Sequence, residues 1–156
     1  MARIVAHLGL DRAALAELGV QRDVALVMHS ATAPDIAPIP TSVKLSEFPW
    51  MLSRLLQGDV IRFSRREDLP VEAHSDRRRF AELGTRSLAA MPLRVGAAAV
   101  GVLAFSTVRA ERQWPDELVH RLQLQAEVFG NALAPAGAPR RLCWRARRKP
   151  GGSARR

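Results

Sequence analysis

The sequence predicts an α+β fold, a central antiparallel sheet flanked by helices, with a disordered basic C-terminal tail. Three observations carry this. Arg86–Arg94 and Ala98–Thr107 are apolar runs of strand length on either side of a Gly96-centred turn. Leu118, Leu122, Ala126, Phe129 and Leu133 then recur at helical spacing. Beyond Pro135 the periodicity fails, and Gly, Pro and Arg dominate.

The remaining elements follow in order. Ala2–Leu8 has Ile4, Val5 and Leu8 on one helical face. Two strands, about Arg12–Leu18 and Asp23–His29, flank a turn containing Gly19. Ser30–Ser42 carries Pro34, Pro38 and Pro40 and is expected to be an extended loop. Helical spacing resumes at Phe48–Leu56, and Gly58 is placed to stop that helix. Asp59–Ser64 alternates as a strand, Glu67–Ser75 is a loop, and Asp76–Leu83 is a short helix closed by Gly84. In the strand pair, Ser87, Ala89, Met91 and Leu93 share one face, and Leu88, Ala90 and Pro92 the other. Both faces are apolar, as in a strand covered on both sides. Pro92 has no amide to give a ladder, so a bulge or an unpaired position is expected there. Gly101 is expected to permit a close approach. The last helix begins near Trp114, with Pro115 at its first position and Asp116 and Glu117 complementing the helix dipole.

Length and charge narrow the function. A chain of 156 residues fits one domain, expected over residues 2–134, with an Arg-rich tail at 135–156. The net charge of +9 belongs to that tail: its eight basic residues have no acid among them, and residues 1–134 are left at +1. Nucleic-acid binding through the tail would be weak, nonspecific and salt-sensitive. Cys143 is the single cysteine, so no internal disulfide can form, and a cytoplasmic setting is expected. No run reaches the ~18 apolar residues of a membrane span. The histidines His7, His29, His74 and His120 lack metal-ligand spacing, and no metal or other cofactor is expected. No nucleophile elbow, paired carboxylates or phosphate loop is visible, so the chain reads as non-enzymatic.

Three stretches carry a family resemblance: RIVAHLGLDRAALAEL, SEFPWMLSRLLQGDVIRFSRREDLP and GTRSLAAMPLRVGAAAVGVLAFSTVRAERQWPDELVHRLQLQAEVFGNAL. Together they cover most of residues 2–134 and resemble a GAF domain, as found in bacterial sensor histidine kinases and related signalling proteins. The resemblance implies a sheet with helices on its faces and a pocket under the middle loops and short helices. It also implies a sensory role, signalling to a kinase or regulator, and terminal helices that pair in a homodimer. No phosphoacceptor segment or ATP-binding box follows, so the chain resembles an input module, as a fragment or a stand-alone relative. Relatives that bind tetrapyrroles attach them through cysteine, which residues 1–134 lack. The signature of cyclic-nucleotide-binding relatives is also missing.

The pocket candidates are residues that strand ends and the middle helix bring near that region. His29 ends a strand beside it. Phe48 and Trp50 offer apolar surface, although a helix start that plugs the core explains them more simply. Phe63, Ser64, Arg86 and Ser87 sit at strand ends, where an arginine beside hydroxyls suits an anionic ligand, while a surface ion pair with Glu67 or Asp68 is the plainer expectation. Met91 completes the set. Leu118, Leu122, Phe129 and Leu133 are the interface candidates, for docking on the sheet or on a partner helix. The leading function is small-molecule sensing; the alternative is a ligand-free dimerisation or partner-binding scaffold.

Overall fold

The computed structural model describes residues 1–19, 21 and 23–133. The Arg-rich segment, its expected disorder and Cys143 lie outside them. The chain runs α1 (Ala2–Leu8), β1 (Arg12–Leu18), β2 (Val24–Thr32), β3 (Ser42–Lys44), α2 (Pro49–Gln57), β4 (Ile61–Phe63), α3 (His74–Glu82), β5 (Ser87–Val95), β6 (Ala98–Thr107) and α4 (Asp116–Leu133). All strand pairings are antiparallel, in the order β3-β2-β1-β6-β5-β4. The expected α+β architecture is present.

Differences from the sequence reading are local. β3 lies at the end of what reads as a proline loop, where Val24, Ala25 and Leu26 pair with Lys44, Val43 and Ser42. Single 3-10 turns occupy Arg66–Asp68 and Val71–Ala73, and α3 starts at His74, two residues early. Pro115 precedes α4 by one residue, and its carbonyl accepts the Val119 amide. The bulge falls beside Pro92 instead of on it: Leu93 pairs with Gly101 and Arg94 with Ala99, so Val100 is the extra residue, on β6. Pro92 itself stays in register with Val102. β4 ends opposite Ala90, so β5 has lost that neighbour by Pro92, and an absent amide costs little there.

The two faces of the sheet are covered by different helices. On one face, Ala13, Leu15, Ala89, Met91, Leu93, Leu103 and Phe105 pack beneath α1 and α4, meeting Val5, Trp114, Val119, Leu122 and Ala126. On the other, Leu88 and Ala90 meet Phe48, Leu55, Ile61, Phe63, Leu69, Ala73 and Phe80 around α2, α3 and β4. Phe80 holds that side together, its ring centroid 5.0 Å from Phe48 and 5.1 Å from Phe63. Each large apolar side chain buried here contributes about 1.5–3 kcal/mol. The exposed Glu117–Arg121 pair on α4 contributes ~0–1 kcal/mol, so packing and not charge docks the helix.

Gly101 permits the close approach expected of it: a Cβ there would collide with the Ala16 carbonyl oxygen on β1. Backbone cannot yield as a side-chain tip can. Gly101→Val is therefore expected to lower stability by about 1–3 kcal/mol in urea unfolding, as overpacking does. A variant as stable as the parent would contradict this strand packing.

Candidate ligand cavity

The cavity follows from which residues alternate onto the α2/α3 face. Ala14 of β1 pairs with Ala104 of β6, which pairs with Ala90 of β5. Three adjacent strands thus place methyl groups side by side on the face opposite α4. With Ala16 and Ala25 they floor a cavity of about 290 Å³, roofed by Met51, Leu52 and Leu55 of α2 and by Phe80 and Leu83 at α3. Residues 37–40 of the proline loop close one side. Ala104 is half-buried although its strand lies in the middle of the sheet, because the side chains packed against it leave part of it facing this space.

The cavity is apolar along most of its length and polar at one end. There Arg12 and Ser106 are paired across β1 and β6, with Thr85 nearby in the lining. Arg12 is 7% exposed. Its Nε donates to the Ala37 carbonyl at 2.9 Å and its Nη1 to the Leu83 carbonyl at 2.9 Å, so it ties the proline loop and the end of α3 to the sheet. Desolvation by burial lowers its pKa, and the charge of Asp11 partly offsets that.

Asp76 fixes the roof. This wholly buried carboxylate on α3 accepts the Met51 amide at 2.8 Å and the Trp50 amide at 3.2 Å, capping α2 from outside the helix. Burial raises its pKa, the two amides opposing without cancelling. Asp11 behaves oppositely. Burial pushes it up, but the Arg109 and Val108 amides and the Arg109 guanidinium outweigh that and hold it below the ordinary carboxylate range.

Of the eight pocket candidates, Phe48 lines the cavity. Trp50 packs against the aromatic cluster at the start of α2, and Phe63 is buried in that cluster without reaching the cavity. Met91 and Ser87 lie on the opposite face, Met91 beneath α4. Ser87 and Ser64 belong to a brace on the segment before α4, outside the cavity. The Ser87 hydroxyl donates to the Ser64 carbonyl at 2.6 Å and accepts the Arg112 amide at 2.7 Å. The Ser64 hydroxyl reaches Gln113, and the Trp114 indole donates to the Phe63 carbonyl, so this brace anchors the approach to α4. Arg86 donates to the Val108 carbonyl, while Asp68 pairs with Arg65.

His29 is exposed on the α1 side of the sheet, away from the cavity. Simple alternation from Ala25 and Val27 would bring it inside, but Leu15 pairs with His29 and Ala16 with Val27, leaving Met28 as an extra residue that turns the strand over. Sequence reading missed Arg12, Ser106 and the alanine floor. The one available signal was an arginine at the head of an apolar strand, on the same face as Ala14 and Ala16.

The interface candidates are largely occupied. Leu122 is 2% exposed against the sheet, and Leu118 and Phe129 pack partly against the same core. Leu133 ends α4. The apolar side chains that α4 presents outward are instead Leu124 and Val128.

A sheet covered by α1 and α4 on one face, with an apolar cavity under two short helices on the other, defines the class of α+β domain to which the chain belongs. The GAF domain family model matches residues 1–133, and the chain belongs to that family. Its fold resembles the phycocyanobilin-bound GAF domain of a cyanobacterial phytochrome (TM-score 0.71, 14% identity, covering 85% of this chain and 79% of that one). It also resembles the Thermosynechococcus elongatus PixJ GAF domain in its blue-light-absorbing form (TM-score 0.68, 15% identity, 84% and 78% covered). A third likeness is to the chromophore-binding domain of Stigmatella aurantiaca bacteriophytochrome (TM-score 0.70, 16% identity, 86% and 52% covered). At these identities the likeness is one of fold. Comparison with curated proteins by sequence gives no match. Among the described residues no group of three His, Cys, Asp or Glu is placed to hold a metal, and no helix is long and apolar enough to cross a membrane.

The raised pKa of Asp76 gives a pH test. The folded state holds its proton more tightly than the unfolded chain, so folding loses stability as pH rises from the unfolded value near 3.8 through the folded one. Asp11 acts in the other window, its contribution being lost as pH falls below 3.8. Asp76→Asn should therefore lack the decline above pH 3.8 that the parent shows in chemical denaturation. Parallel pH profiles of the two proteins would refute this account.

Proposed function

We propose that this domain is a non-catalytic regulatory module that senses a small molecule in the alanine-floored cavity and signals to a kinase or regulator in the cytoplasm. The observation that supports this most is the half-buried Ala104: a central strand left with unfilled apolar space above it. A ligand there touches the sheet, α2, α3 and the proline loop together. It favours whichever arrangement of these it contacts better, and so shifts their populations. β5 and β6 form the cavity floor on one face and the seat of α4 on the other, which offers a route from occupancy to the last helix. A bilin is not the proposed ligand, since residues 1–133 contain no cysteine to attach one. A volume of about 290 Å³ suits a smaller molecule, near the low end of ligand sites.

Screening of the purified protein against a broad metabolite panel by thermal shift tests this. A ligand present at a hundred times its Kd stabilises by about 2.7 kcal/mol, equivalent to a rise in Tm of roughly 5–10 °C. Ala104→Leu should fill the cavity, leave the fold intact and abolish that rise. No stabilisation by any pocket-sized compound would count decisively against the reading.

Pairing of two copies is a second reading, favoured by Leu124 and Val128, which lie one turn apart on α4 and are 49% and 68% exposed. Val128→Glu should convert a dimer to a monomer in light scattering while preserving the ligand-induced rise in Tm. A monomeric parent protein would dispose of this second reading.

A further inference from the structure

We infer that the cavity takes a small monocarboxylate with an apolar body, its carboxylate held by Arg12 and Ser106 and its tail lying along the alanine floor. This rests on the reading of the cavity as a ligand site and adds the chemical class of what enters it.

The argument begins with the unspent capacity of Arg12. A guanidinium has five N–H donors, and those that the protein leaves unpaired and open to a cavity can meet a ligand. The Ala37 and Leu83 carbonyls engage Nε and Nη1, and among the described residues Nη2 donates to no protein atom. Nor does any described carboxylate form an ion pair with Arg12. The neighbouring Asp11 is taken by Arg109, and Glu82 at the cavity rim is turned to Arg79. Arg12 therefore brings to the lining of an apolar space a positive charge that no direct ion pair meets and that Asp11 offsets only in part. Ser106, its direct partner across the sheet, lines the same space, and its hydroxyl, not sealed off from it, makes no hydrogen bond among the described residues.

The shape of the cavity sets the rest of the ligand. From Arg12 the lining continues through Ala14, Ala16 and Leu18 along β1, with Val43, Leu45 and Leu52 at the distant end. No basic residue other than Arg12 lines it, so a dianion would leave one charge buried and unpaired. One carboxylate at the head and hydrocarbon behind it satisfies both ends. An arginine kept only to tie the proline loop to α3 would use its two carbonyl bonds and have no need of an anion, which is the alternative the experiment must separate.

Isothermal titration of the full chain with decanoate and with decanol, near neutral pH, makes that separation. A charge-assisted hydrogen bond should make decanoate bind about ten-fold tighter or more. Ser106→Ala should weaken decanoate and leave decanol unchanged, Arg12→Met should erase the preference, and Ala104→Leu should abolish binding of both. If Arg12→Met does not fold, the comparison in the parent protein and Ser106→Ala decide. Equal affinities, or tighter binding of decanol, would overturn the carboxylate assignment while leaving the cavity a ligand site. Decanoate binding that persists in Ala104→Leu lies outside the cavity and overturns the assignment too. Binding of neither compound also overturns it, and the sensor reading then stands or falls on the metabolite panel alone.

Discussion

The structure depends on how β1, β5 and β6 divide their side chains between two faces. A strand sends alternate residues to opposite sides, and in this chain the division is unequal in size. Leu15, Leu103, Phe105, Met91 and Leu93 go to the α4 face and fill it. Ala14, Ala104 and Ala90 go to the other, where the cluster around Phe48, Leu55 and Phe80 covers Ala90 but space remains beside Ala104. The first face supplies the stability of the sheet, which lets the second remain open.

An open face still needs its cover held at a fixed height. The aromatic contacts of Phe80 with Phe48 and Phe63 set one side, close to β4. Asp76 supplies the other constraint. It spends a buried charge to cap a neighbouring helix, and the raised pKa is the mark of that cost. Arg12 joins the sheet to the proline loop and to α3 through two carbonyls. The cover is therefore fastened by polar contacts at points, with apolar packing between them.

Long periodic elements were legible in the sequence. α1, β1 and β6 have the bounds that residue patterns predict, and the docking stripe of α4 is visible in Leu118, Leu122, Ala126 and Phe129. Three kinds of feature were not. β3 is only three residues long, and its pairing is decided by β2 and not by its own composition. Bulges at Met28 and Val100 each add one residue without breaking an apolar run, yet the first reverses the face on which His29 sits. The cavity was hidden because alanine fits equally well against a close neighbour or beside empty space. Only the register that aligns Ala14, Ala104 and Ala90 tells the two apart.

One contact gives α4 an unusual mechanical setting. A Cβ at Gly130 would lie 2.8 Å from the Arg94 carbonyl oxygen, so near its end the helix meets β5 backbone to backbone. Arg94 is also the residue at which the β5–β6 ladder skips a step. Elsewhere the helix rides on a cushion of deformable side chains that can absorb a small displacement; at Gly130 nothing soft intervenes. The sheet's irregular step and the helix's one rigid seat thus coincide, and the position of α4 is set there by backbone and not by side-chain packing.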